Sequence, residues 1–197
     1  MGAGACHGWA NVALALNIEP LSRSISMSRH PLTTLRPIRD TDLDAVLRVQ
    51  AACYPPPMQE AAWVVRSRIR SASDTSFVAE IEGQVGAYVF AYRSTRGAVT
   101  PLDAPFDVAG DGDTLYIHDL SVAPAAAGQG LARRLVERLR ALAREQGLAQ
   151  CALVSVQDSR AFWERLGFRA SACGGETDRL ALASYPPVAL YMCTAGA

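Results

Sequence analysis

Apolar and polar positions follow two rhythms along this chain, and each rhythm predicts an element. Thr33 to Ile38 alternates with the period of a strand, and Asp40-Thr41-Asp42 then offers caps for a helix carrying Leu43, Val46, Leu47 and Val49 at helical spacing. Tyr54-Pro55-Pro56-Pro57 ends that helix, because proline has no amide hydrogen to donate and its ring clashes with the preceding turn. A second helix is expected from Gln59 to Ser71, with Trp63 and Ile69 on its inner side. Phe77 to Ile81 and Val85 to Tyr92 are β-rich runs separated by Glu82-Gly83-Gln84, which predicts an antiparallel hairpin.

The connection from Arg93 to Gly112 is polar, contains Pro101 and Pro105, and is long enough to be expected to shape a substrate entrance. Thr114 to Val122 reads as a buried central strand. After Pro124 and an Ala/Gly turn, Leu131, Leu135, Leu139 and Leu142 share one helical face while Arg and Glu occupy the other. Gly147 suits the end of that helix, and Cys151 to Val156 is expected to return parallel to the central strand. A short helix from Ser159 to Leu166 and two last strands, about Phe168 to Ala172 and Val188 to Thr194, complete the pattern. The fold class this predicts is α/β: a mixed, mostly antiparallel central sheet with one parallel strand pair, flanked by helices.

Composition narrows the picture. A chain of 197 residues with 50% hydrophobic and 19% charged residues can bury one sizeable core. Residues 1–30 are rich in Ala, Gly and Ser and are expected to form a disordered extension, leaving 31–197 as the domain; Met27 is a candidate translation start. The 19 Lys plus Arg cancel the 19 Asp plus Glu, so no net field gathers nucleic acid or an anionic membrane. The apolar run Trp9 to Ile18 is far short of the roughly 20 residues that cross a bilayer, so a cytoplasmic location without membrane contact is expected. Cys6, Cys53, Cys151, Cys173 and Cys193 are odd in number and form no C-x-x-C pair, which predicts reduced packing residues and no metal site.

The chemistry lies between Leu115 and Leu135, where a buried strand feeds a glycine-containing turn that opens an amphipathic helix. The first amides of a helix lack intrahelical partners and its macrodipole is positive at that end, so a pyrophosphate can be held there without lysine. Gly128 and Gly130 leave the backbone open to such an anion. Alone, this turn fits equally a dinucleotide site, another phosphate site or a plain tight turn.

Its company adds more. Ala127-Gly128-Gln129-Gly130-Leu131-Ala132 resembles the pattern Arg/Gln-x-x-Gly-x-Gly/Ala, and Phe162-Trp163-Glu164-Arg165-Leu166-Gly167-Phe168 is similar to an aromatic followed by Glu-Lys-Leu-Gly-Phe. Both belong to the GCN5-related N-acetyltransferase (GNAT) family. Two positions depart from it: Ala127 replaces the basic or amide residue, and Trp163 stands where many relatives have a tyrosine acid. The resemblance implies the acyl-CoA N-acyltransferase fold, in which the central parallel strands splay. It implies acetyl-CoA as cosubstrate, no metal, and transfer of acetyl by direct attack of a primary amine on a small molecule, a protein N-terminus or a lysine. Leu120 and Val122 would present backbone to the pantetheine arm, while Gly128, Gln129, Gly130, Leu131, Ala132 and Arg133 would surround the pyrophosphate.

For catalysis the candidates are His118, Tyr116 and Asp119. On a regular strand Tyr116 and His118 share one face and Asp119 takes the other, and a bulge, which the family has on this strand, disturbs the count after about Asp119. His118 is the expected base, since free imidazole has a pKa of about 6.5. Against the enzyme stand a CoA-binding sensor or interaction module that lost its chemistry and, more distantly, an ATP- or NAD-binding protein. An amine acceptor is the expected partner, nucleic acid and membrane are not, and a homodimer is compatible with all of this.

Overall fold

The computed structural model describes residues 32–157 and 159–196; the expected extension over residues 1–30 and the candidate start at Met27 lie outside them. Seven strands form one sheet in the order β1-β2-β3-β4-β5-β7-β6. They are β1 (Thr33–Pro37), β2 (Phe77–Ile81), β3 (Gln84–Ser94), β4 (Thr114–Val122), β5 (Gln150–Ser155), β6 (Arg169–Ala170) and β7 (Leu190–Cys193). The helices are α1 (Leu43–Cys53), α2 (Ala62–Ser71), α3 (Leu131–Glu145), α4 (Arg160–Arg165) and α5 (Glu176–Leu182). Among the described residues only β4 and β5 pair in parallel, so the mixed, mostly antiparallel sheet is as the patterning implied.

Both faces of the sheet are covered, which is why β3, β4 and β5 read as near-continuous apolar runs. On one face the stripe of Leu131, Leu135, Leu139 and Leu142 on α3 packs against Leu115, Ile117, Val89 and Leu153, with Trp163 and Phe168 closing the end. On the other, Val46 and Val49 of α1 and Val65 and Ile69 of α2 pack on Tyr88, Phe90, Tyr92 and Tyr116. Each fully buried side chain of this kind contributes about 1.5–3 kcal/mol. The hairpin turn at Glu82 and Gly83 and the α3 terminus at Gly147, with φ of +66°, fall where they were expected. Leu148 N–H reaches back to the Ala143 carbonyl at 2.8 Å, closing α3 with a reversed turn.

Four expectations are corrected. The second helix begins at Ala62, not Gln59, because the buried Gln50 amide bonds both the N–H and the C=O of Glu60, at 3.2 and 3.0 Å, and holds that segment out of the helix. Trp63 is 65% exposed; the inner face of α2 is Val64, Val65, Arg68 and Ile69. The β3–β4 connection is less polar in effect than in composition, for Val99 and Phe106 are buried and Tyr185 donates to the Thr100 carbonyl at 2.7 Å. The last strands are shorter than predicted, and the seven-residue α5 was not foreseen, since it is too short to show helical periodicity.

Candidate active site

β4 and β5 pair from Thr114↔Gln150 to Ile117↔Leu153 and then part, although β4 continues to Val122 and β5 to Ser155. The edge of β4 that faces β5 is therefore unpaired beyond Ile117. A cleft opens there, walled by residues 118–121 of β4, by Leu153 and Val154 of β5, by Phe162 and Trp163 of α4, and by Tyr54. Its enclosed volume is about 60 Å³, and its mouth opens to solvent.

The same region of β4 is bulged. Phe90 of β3 faces Asp119 and the next residue, Ala91, faces Ile117, so His118 is the extra residue in β4. The alternation of faces fails at His118, one position before the expected point. As a result Tyr116, His118 and Asp119 all project toward the α1 and α2 side, and the expectation that Asp119 points to the opposite face is corrected.

His118 lies in a buried ionic cluster. Its side chain is 3% exposed, and its Nε2 stands 3.5 Å from Glu60 Oε1. Glu60 is in turn held by the fully buried Arg68 and by the Asp103 N–H at 3.2 Å. Arg68 donates twice to the Ala104 carbonyl, at 3.2 and 2.7 Å, and lies 4.9 Å from the centre of the Phe106 ring. Burial works to raise the Glu60 pKa, but the pairing with His118 and Arg68 overcomes it and takes the carboxyl down to about 2. Burial, reinforced by the Arg68 charge, lowers the His118 pKa despite the two carboxylates nearby. The stable state at neutral pH is a carboxylate facing a neutral imidazole, and His118 Nδ1 is buried with no hydrogen-bond partner.

Asp119 forms a second cluster. Its Oδ1 accepts from the Tyr54 hydroxyl at 2.6 Å and from Ser121 Oγ at 3.1 Å, and its Oδ2 accepts from the Tyr88 hydroxyl. Burial raises the Asp119 pKa, the tyrosine hydrogen bonds partly offsetting it. Tyr116 is 1% exposed, packs against Tyr92 and is not a wall of the cleft.

Beyond the cleft-lining stretch, β4 leads through the turn Pro124–Ala126 into α3. Gly128 and Gly130 have φ of +77° and +71°, and a Cβ on either would meet no atom within 4 Å. Conformation, not crowding, calls for glycine here, and the space above the turn is open. No side chain caps the start of α3, so its first amides face that space. Gln129 is exposed, Leu131 is buried and can offer only its amide, and Ala132 packs partly against the core. Arg133 is exposed and paired with Glu137 at 2.7 Å. Leu120 is a half-buried wall of the cleft, whereas Val122 is buried. Trp163 is buried between Phe162 and Phe168 with one edge on the cleft.

Glu60, Arg68, Tyr54 and Tyr88 were not picked out from the sequence. Arg68 alone left a signal: a cation on the apolar stripe Val64, Val65 and Ile69 is out of place unless it is paired. The others sit near or inside expected elements with nothing local to mark them. Among the described residues no group of His, Cys, Asp and Glu is placed to hold a metal ion, and no helix is long and apolar enough to cross a membrane.

A search of curated protein sequences finds no match. Among solved structures, the GphF GNAT-like decarboxylase in complex with isobutyryl-CoA superposes with a TM-score of 0.67 at 19% identity, covering 82% of this chain and 98% of that one. The loading GNATL domain of CurA from Lyngbya majuscula gives 0.69 at 14% identity, covering 83% and 97%. The ribosomal-protein-S18-alanine N-acetyltransferase from Escherichia coli gives 0.56 at 18% identity, covering 83% and 93%. These likenesses establish the fold. The sequence profile of the Acetyltransferase (GNAT) family matches residues 43–168, from α1 through the glycine turn to just past α4, and on that match the chain belongs to the GNAT family.

Proposed function

We propose that the protein is an acyl-CoA-dependent N-acyltransferase that moves an acetyl group from acetyl-CoA to a primary amine. The observation that carries this reading is the parting of β4 from β5 beyond Ile117: the cleft that opens there is lined by the bulged stretch at His118, and the same strand runs on through the glycine turn to the uncapped start of α3. The amides at Gly128 to Ala132 suit the diphosphate, the β4 edge beyond Ile117 can pair with the pantetheine arm as an added strand would, and His118, at the bulge, is among the residues lining the cleft. His118, neutral and buried, is the base for the incoming amine, and Asp119 with its tyrosines keeps the adjoining wall polar.

The test is release of CoA thiol from acetyl-CoA against a panel of amines, with the acylated product identified by mass. Absence of product with small amines, peptide N-termini and lysine peptides alike would remove the transferase. A second reading, acyl-CoA decarboxylation, is favoured by the better superposition on the structures described as a decarboxylase and a loading domain, 0.67 and 0.69, than on the S18-alanine acetyltransferase, 0.56. It predicts loss of carbon dioxide from an acyl-CoA bearing an α-carboxylate, with no amine required.

A further inference from the structure

We propose that Glu60, together with Arg68, is the positioning element of the base: it fixes the His118 imidazole as the tautomer protonated at Nε2, leaving the Nδ1 lone pair free to take the proton of the acceptor amine. The inference rests on the N-acyltransferase reading for what the base does, but the tautomer follows from the geometry of the cluster. Nε2 faces Glu60 Oε1 at 3.5 Å, and an ionised carboxylate repels a lone pair at that distance while attracting an N–H. Nδ1 then bears the lone pair, and it is the ring nitrogen without any partner. A buried nitrogen left unpaired is costly, and a protein retains such a group where a ligand completes the bond.

Glu60 is held for this task from every side. Gln50 clamps its backbone at both N–H and C=O, Arg68 grips one carboxylate oxygen, and the Asp103 N–H bonds the other. Arg68 is a counter-charge that cannot be titrated away, so it keeps Glu60 ionised; its own ties to Ala104 and Phe106 fasten the β3–β4 connection over the cluster. The charged and titratable groups bearing on His118 are Glu60 before α2, Arg68 from α2 and Asp119 beside it on β4.

The proton balance closes on the imidazole. As the amine nitrogen bonds to the acyl carbon and the C–S bond breaks, the proton of the amine passes to Nδ1 and the electron pair leaves with sulfur. The imidazolium, stabilised by Glu60, then returns that proton to the thiolate, and His118 ends neutral as it began. No tyrosine at position 163 is needed for this cycle.

The chain has three histidines, so the nitrogen resonances of His118 can be assigned by comparison with a His118→Gln variant. In the wild-type protein near neutral pH the expected spectrum has Nε2 protonated and Nδ1 unprotonated. A proton on Nδ1 would overturn the proposal, whether or not the protein transfers acyl groups. Glu60→Gln should lower kcat about 100-fold with KM for acetyl-CoA within about twofold, and should move the imidazole toward a mixture of tautomers. Glu60→Asp should recover part of the rate. Since Glu60→Gln strands a buried guanidinium and can unfold the chain, the double variant Glu60→Gln/Arg68→Met, which removes both charges, is the companion. It should fold, bind CoA and lose the same rate; full activity in it would contradict the assignment. Failure of the wild type to acylate any amine, with the expected tautomer present, would count against the transferase reading and leave the positioning role standing.

Discussion

Two regions near the cleft, a backbone wall and a side-chain wall, are made of different material; residues 118–121 of β4 and Tyr54 are the parts of them that line the cleft itself. The wall formed by the β4 edge, the glycine turn and the start of α3 presents backbone: unpaired strand amides, open helix amides, and glycines with positive φ that keep the space above them clear. The wall formed by α1, α2 and the β3–β4 connection presents side chains: Glu60 with Arg68 and His118, and Asp119 with Tyr54 and Tyr88. A backbone wall grips the invariant part of a ligand with little regard to side-chain identity. In the proposed reaction the side-chain wall would carry the proton and meet the acceptor, and each of its contacts must be made by the right residue.

The largest effect is expected on the side-chain wall. His118→Ala should lower kcat by about 10² to 10⁴, with KM for acetyl-CoA nearly unchanged, measured by thiol release under steady-state conditions. An unchanged kcat would take the base away from His118. Next is Arg68→Ala, which leaves Glu60 charged and unpaired in a buried cluster and should destabilise the fold by about 3–5 kcal/mol in chemical denaturation. A loss below about 1 kcal/mol would mean that the cluster relaxes or lets water in.

Gly130→Val probes the backbone wall instead. A β-branched residue at φ of +71° is strained by about 1–2 kcal/mol, and its side chain stands where the diphosphate would approach. The expected result is a Kd for CoA raised about tenfold or more, with the His118 tautomer untouched. Parallel loss on both sides would dissolve the distinction between the walls.

The smallest effect is in the pH dependence of stability. His118 has a folded pKa below its ordinary 6.5, so its contribution is present above pH 6.5 and is lost as pH falls through the folded value. Glu60, depressed from 4.5 to about 2, adds a contribution that is present above pH 4.5 and disappears toward pH 2. Asp119 has the opposite sign: raised above 3.8, it favours folding in acid and loses that advantage as pH rises through its folded value. Thermal unfolding between pH 8 and pH 3 should therefore show a decline that begins near pH 6.5, and His118→Gln should remove that first part.

The contrast between the walls also explains what could be read in the sequence. Most of the fold was legible, because β3, β4, α3 and β5 are long and periodic, and the parallel β4–β5 pairing follows from the crossover through α3. The backbone wall was legible too, since Gly128 and Gly130 lie beside the helix they open. The side-chain wall was not. Glu60 and His118 meet across 58 positions of sequence, and Asp119 joined them only because a bulge at His118 turned both residues to one face. Trp63 was placed inside on hydrophobicity, but the neighbouring Val64 and Val65 with Arg68 and Ile69 define the buried stripe. A helical period read with a one-residue error misplaces such a side chain by about 100°.

Calorimetric titration of the full chain with coenzyme A tests the central claim most directly, because everything else depends on the groove between the parted strands accepting that ligand. The account predicts a single site with Kd on the order of micromolar to sub-millimolar, weakened by Gly130→Val and untouched by His118→Ala. No binding heat at several temperatures with millimolar CoA, or equal binding to wild type and Gly130→Val, would contradict it.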